Sequence, residues 1–125
     1  MQDHRKLKVW SRSHALAVAA RKAVRSFPRA GYGTLHSQII RAVESIPLNI
    51  AEGCGASSQK EFARYLSISI KSSSELQAQL ELARDHGALP ETKWKGLSDE
   101  TVEIRRMVCG LRAKVLDSPG RTGNS

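Results

Sequence analysis

The sequence predicts an all-α protein folded as an antiparallel up-down-up-down four-helix bundle. Apolar residues recur at helical spacing in four separate stretches, no window shows the two-residue alternation of a half-buried strand, and the stretches are joined by short turns rich in Gly and Pro. Each helix would be about 30 Å long, and short turns between elements of similar length favour antiparallel neighbours. The bundle is expected over residues 1–116, with a disordered tail over 117–125.

The first helix is expected from about Leu7 to Ser26, stopped by Phe27-Pro28 and the breakers of Arg29-Ala30-Gly31-Tyr32-Gly33. Val9, Leu16, Ala20, Ala23 and Phe27 form one apolar stripe, and Trp10, His14, Ala17 and Val24 form a second beside it. A helix apolar over that much of its circumference asks for a packing partner beyond its own core. Lys8, Arg12, Lys22 and Arg25 occupy the remaining face.

The second helix is expected to open at Thr34 as N-cap, and Leu35, Ile39, Val43, Ile46 and Ile50 hold one stripe straight through Pro47. The helix therefore continues past a residue that lacks an amide donor and crowds the carbonyl of Val43. Ser45, Asn49 and Glu52 are the candidates to satisfy the disturbed carbonyls. Leu48 points nearly opposite the stripe, toward a subunit contact, a buried bend or open solvent.

Gly53-Cys54-Gly55 ends that helix, and Ser58-Gln59-Lys60-Glu61 supplies a capping-box pattern for a third that runs to about Asp85. Phe62, Leu66, Ser69, Ser73, Leu76, Leu80 and Ala83 share its inner face. Serines there allow close helix approach, and their hydroxyls can bond back to the carbonyl one turn earlier. Gly87 is expected as the C-terminal cap and Pro90 as the first residue of the fourth helix. Trp94, Leu97, Ile104, Val108, Leu111 and Val115 carry the fourth stripe.

The formal charge of +8 is uneven. Residues 1–30 hold eight Lys/Arg against Asp3, residues 31–92 hold five against seven acids, and residues 93–125 hold seven against four. Basic charge at both chain ends points to an anionic partner, nucleic acid foremost, with solvated helix faces as the plain alternative. Arg12, Lys22, Arg25, Arg29, Arg105, Arg106 and Arg112 are the candidate phosphate contacts, with Lys60 a peripheral one at the start of the third helix. Trp10, Phe27 and Phe62 are committed to the stripes, so binding is expected to follow backbone charge and shape rather than base identity.

Other functions are disfavoured. Cys54 and Cys109 belong to no CxxC pair, and His4, His14, His36 and His86 lack ligand spacing, so neither metal nor cofactor is expected. No apolar run approaches the roughly 20 residues of a membrane span, and the charged N-terminus does not resemble a signal peptide, so a cytoplasmic location is expected. Ser45, Asn49 and Glu52 form no catalytic constellation, and polar residues beside a helical proline serve the backbone first, so no enzyme is expected.

Taken together, Leu7-Lys8-Val9-Trp10 with His14, Phe27-Pro28, Ser37-Gln38-Ile39, Ser45-Ile46-Pro47 with Asn49-Ile50-Ala51-Glu52-Gly53, Phe62, Tyr65-Leu66, Ser74-Glu75-Leu76 and Gln79-Leu80 resemble a known family. It comprises small bacterial four-helix-bundle proteins first noticed as reading frames inside intervening sequences of 23S ribosomal RNA genes. The resemblance covers about residues 3–115, with Ser45, Pro47, Asn49, Glu52 and Gly53 as its structural motif. Leu48 departs from the pattern, which more often has a small or polar residue there. The resemblance implies a ring-like homo-oligomer, typically a pentamer. Trp10, His14 and Leu48 are the interface candidates, because the second stripe of the first helix and Leu48 both ask for a partner surface. More distant relatives include the accessory variability proteins of diversity-generating retroelements, basic rings that bind nucleic acid and associate with a reverse transcriptase. The expected function is thus a non-enzymatic oligomer that binds structured RNA or DNA and docks a nucleic-acid-processing partner. A structural scaffold without nucleic-acid affinity is the alternative.

Overall fold

Four helices and no strands make up the computed structural model, which describes residues 2–118: α1 (Lys8–Val24), α2 (Gly33–Cys54), α3 (Gln59–Asp85) and α4 (Glu91–Asp117), preceded by a 3-10 turn at His4–Lys6. Each helix packs on the next, and α1 also meets α4, so the four enclose one core.

The apolar stripes explain that packing. Ile39, Val43, Ile46 and Ile50 of α2 are wholly buried, as are Leu66 and Leu76 of α3 and Ile104 of α4. Each such side chain contributes about 1.5–3 kcal/mol by leaving water. Val9, Leu16, Ala20, Ala23 and Phe27 complete the core from the α1 side.

Cross-links between α3 and α4 show how these helices lie. The Gln59 amide donates to the Val115 carbonyl, Arg112 to Ser67, and Arg105 to Gln77, so residues advancing along α3 meet residues receding along α4. Between α2 and α3, Ser69 reaches Ile46 and Ser72 reaches Ser45.

The helix ends follow local chemistry. Ser58 caps α3 by accepting from the Glu61 amide at 3.0 Å, as the capping-box pattern predicts, while the Glu61 carboxylate turns to Arg64. At the other end of α3, the Gly87 amide donates to Arg84 and the Ala88 amide to Ala83, with Gly87 at φ +82°, a left-handed turn that glycine adopts without strain.

Two expected starts move. Helix α2 begins at Gly33, with Tyr32 in the cap position and no side-chain cap bond, so Thr34 lies inside the first turn. Tyr32 is held instead by its hydroxyl, which donates to the His86 carbonyl at 2.9 Å. Pro90 has extended backbone (ψ 147°) and precedes α4 rather than opening it. Helix α4 also runs through Asp117, one residue into the expected tail, and Ser118 caps it; the rest of the tail lies outside the described residues.

Candidate functional site

Pro47 is buried inside α2, and the neighbouring turns are held by neutral hydrogen bonds. Asn49 Nδ2 donates to the Ser45 carbonyl at 2.8 Å and to Ser45 Oγ at 2.9 Å. Ser72 Oγ of α3 donates to Ser45 Oγ at 2.8 Å, and Ser69 Oγ donates to the Ile46 carbonyl at 2.9 Å. Ser69 and Ser72 therefore reach across to α2 instead of bonding within their own helix. Ser73 keeps the expected local bond, to Ile70. Glu52 is exposed and takes no part. Ser45 and Asn49 are thus brought together and Glu52 is left outside, an arrangement that secures helical carbonyls.

Gly53 belongs to the same motif for a steric reason. A Cβ at this position would lie 2.7 Å from Phe62 Cδ1 and 3.3 Å from the Phe62 carbonyl oxygen. The end of α2 therefore passes the start of α3 closely enough that a methyl group does not fit.

The basic candidates divide by their partners. Arg12 is forked onto Glu100 of α4, with Nη2–Oε1 at 2.6 Å and Nε–Oε2 at 2.9 Å. This hydrogen bonding raises the Arg12 pKa above its ordinary value. Arg106 bonds Glu103 one turn away, Arg105 donates to Gln77 at 2.7 Å, and Arg112 donates to Ser67 at 2.8 Å. Lys60 shares an α3/α4 groove of about 400 Å³ with Arg64, Arg112 and Leu116. Lys22, Arg25 and Arg29 are exposed and hold no carboxylate among the described residues. Lys22 and Arg25 line an α1/α2 groove of about 350 Å³, while Lys22 also faces Lys93 across an α1/α4 groove of about 520 Å³.

The interface candidates are partly assembled. Trp10 stacks on His14 (centroids 4.9 Å apart, interplanar angle 26°) and meets the edge of His4 at 4.8 Å. His14 in turn lines the α1/α2 groove with Leu48, and Trp10 does not. Leu48 is 63% exposed, which settles its direction: it is on the surface. Beside it in the groove is Val18, 45% exposed, one turn after His14 and absent from the sequence candidates. The helical period alone would have added it. Also missed was a polar α2/α3 groove holding Arg41, Glu75 and Gln79, of which Glu75 and Gln79 are one turn apart in sequence.

Among the described residues no three His, Cys, Asp or Glu side chains gather as a metal site would require, and no helix is long and apolar enough to cross a membrane.

The fold is shared with a crystal structure from Bacteroides thetaiotaomicron, a protein of unknown function from the S23 ribosomal protein family. That structure is 23% identical, covers 83% of this chain and 97% of its own, and superposes with a TM-score of 0.78. No match was found among curated proteins. Residues 5–110 match the family described as 23S rRNA-intervening sequence protein. That span takes in all of α1, α2 and α3, the Pro47 network and most of α4, and the chain belongs to the family of 23S rRNA-intervening sequence proteins.

Proposed function

We propose that the protein is a non-enzymatic, self-assembling up-down-up-down bundle that binds RNA or DNA through the phosphate backbone. The observation that carries this reading is the unpaired cation group Lys22, Arg25 and Arg29 at the end of α1 and the turn after it, extended across the α1/α4 groove by Lys93. Elsewhere Arg5, Arg12, Arg21, Arg64, Arg84, Lys95 and Arg106 each hold a carboxylate. A cation already bonded to Glu100 or Glu103 has less to gain from a phosphate than one facing only water.

Assembly is the second part of the proposal. Val18 and Leu48 form an exposed apolar pair in the α1/α2 groove, next to His14 and Pro47, and a neighbouring subunit would remove it from water. A ring of five, as the resemblance implies, would gather five copies of a +8 chain around one axis. Such a ring also offers a repeated surface for a nucleic-acid-processing partner, a reverse transcriptase being the kind the resemblance implies.

The test is fluorescence anisotropy with a structured RNA and a duplex DNA across a salt series. Sub-micromolar affinity near physiological salt, falling steeply as log salt rises, is the expected result, because each neutralised phosphate releases counterions. Binding seen only at low salt would overturn it in favour of a scaffold, the reading favoured by the exposed Val18 and Leu48 pair.

A further inference from the structure

We propose that the polar groove between α2 and α3 reads the edge of an unpaired guanine base. This deepens the nucleic-acid reading above, on which it rests, and adds one point of base recognition to binding otherwise led by the backbone. The groove is about 330 Å³ and is lined by Gln38, Arg41 and Ser45 of α2 and by Ser72, Glu75 and Gln79 of α3. One part of its wall is fixed, because Ser45 Oγ already accepts from both Ser72 Oγ and Asn49 Nδ2.

The rest of the lining has capacity to spare. Arg41 and Glu75 are exposed, and neither holds an ionic partner among the described residues. Gln79 Oε1 is buried and receives no hydrogen bond there. A buried acceptor without a donor is destabilising, and rotation of the Gln79 side chain toward the groove would let a ligand's donor satisfy it. The groove thus presents a guanidinium fork and a carboxylate at its surface, with the orphan amide oxygen of Gln79 beneath them.

Guanine has the complementary pattern. Its O6 and N7 are adjacent acceptors suited to an arginine fork, and its N1–H and N2–H₂ are adjacent donors suited to a carboxylate and an amide oxygen. Adenine offers an acceptor at N1, while cytosine and uracil have no N7, so none of the three matches both halves. Such an edge is accessible in single strands, loops and bulges, where bases can be splayed out of the stack. The neighbouring charge fits as well: Arg41 is about one turn before Glu44, which holds Arg21 at 2.9 Å, and Lys22 and Arg25 line the groove on the other side of α2.

The experiment uses the full chain and short labelled RNAs with one central guanosine in a uridine strand, replaced in turn by inosine, 7-deazaguanosine or adenosine. Inosine lacks the N2 amino group and 7-deazaguanosine lacks the N7 acceptor, so each is expected to bind about tenfold more weakly than guanosine. Glu75→Gln is expected to bring the guanosine-to-inosine ratio to one, and Arg41→Gln to do the same for guanosine against 7-deazaguanosine. Both residues are exposed, so the fold does not depend on either, and the analogue series in the unaltered protein needs no variant. Equal affinity for all four strands would overturn the guanine site and leave backbone binding intact. Failure of every strand to bind at any salt would overturn both. A change of molecular mass by light scattering on Glu75→Gln would show that the groove lies between copies of the chain, and would also overturn the site.

Discussion

Ser69, in the middle of α3, donates its hydroxyl to the carbonyl of Ile46 at 2.9 Å, immediately before Pro47 inside α2. Both residues are wholly buried, so the bond joins the second and third helices beside the position where α2 lacks an amide donor. Ser69→Ala should lower stability to urea by about 1 kcal/mol, the usual net worth of one intramolecular hydrogen bond. Ser69→Val should cost more, because a branched side chain must fit where α2 and α3 approach closely. An unchanged urea midpoint for Ser69→Ala would mean that the bond contributes nothing to the fold.

Gly53→Ala tests the other close approach. Alanine favours a helix over glycine by about 1 kcal/mol, but the new methyl would meet the Phe62 ring at 2.7 Å. Phe62 is 1% exposed, so its ring must shift within the core rather than into solvent, and overpacking of this kind costs about 1–3 kcal/mol. The expected net loss is about 1 kcal/mol, seen as a lower denaturation midpoint. A raised midpoint would show that the helix ends separate readily.

Acid should weaken the exposed ion pairs in a defined direction. A side-chain hydrogen bond from Arg64 holds Glu61 below its ordinary value of 4.5, and one from Arg84 holds Asp85 below 3.8. A carboxyl whose folded pKa is depressed contributes stability that is present above its unfolded pKa and lost as pH falls through the folded one. The stability difference between the parent and the Glu61→Gln, Asp85→Asn double variant should therefore be constant above about pH 5 and shrink on acidification below the ordinary carboxylate range. The pairs are exposed, so added salt should reduce the difference as well. A difference that widens as pH falls would contradict these assignments.

The apolar stripes were legible because burial follows helical period: Ile39, Val43, Ile46 and Ile50 are all wholly buried, and Pro47 sits within a continuous helix. Cap positions were less so. Thr34 is the better capping residue, yet Tyr32 takes the position because its ring reaches Phe27 and its hydroxyl reaches His86, 54 positions away. The same limit applies to charge. Nothing local distinguishes Arg12 from Lys22, since both lie on the polar side of α1, and Arg12 is paired only because α4 brings Glu100 within 2.6 Å from 88 positions along the chain. Ser69 and Ser72 face α2 by the rotation of α3 in the bundle, which periodicity leaves free once one face is apolar.

Assembly can be tested at the exposed leucine. Leu48→Glu places a charge in the apolar floor of the α1/α2 groove, beside Val18, without touching the core. If that groove is the subunit contact, the variant should have a lower mass by light scattering at a concentration where the parent is assembled, while its helical circular dichroism is unchanged. Equal masses would place the interface elsewhere.

If the unpaired cations are the phosphate contacts, they should differ from the paired ones in their effect on salt dependence. Lys22 and Arg25 face solvent without a carboxylate, so replacing both with Gln should reduce the slope of log affinity against log salt by about two, one per lost phosphate contact. Arg106 is held by Glu103 at 2.9 Å, and Arg106→Gln removes a charge that is already answered nearby. Its salt slope should therefore stay at the parent value. Both variants lower the formal charge of the chain, the first by two and the second by one, so an effect of net charge alone would appear in both in that proportion. A slope that changes only with Lys22 and Arg25 would mean that position, set by which cations the fold leaves unpaired, decides where the nucleic acid lies.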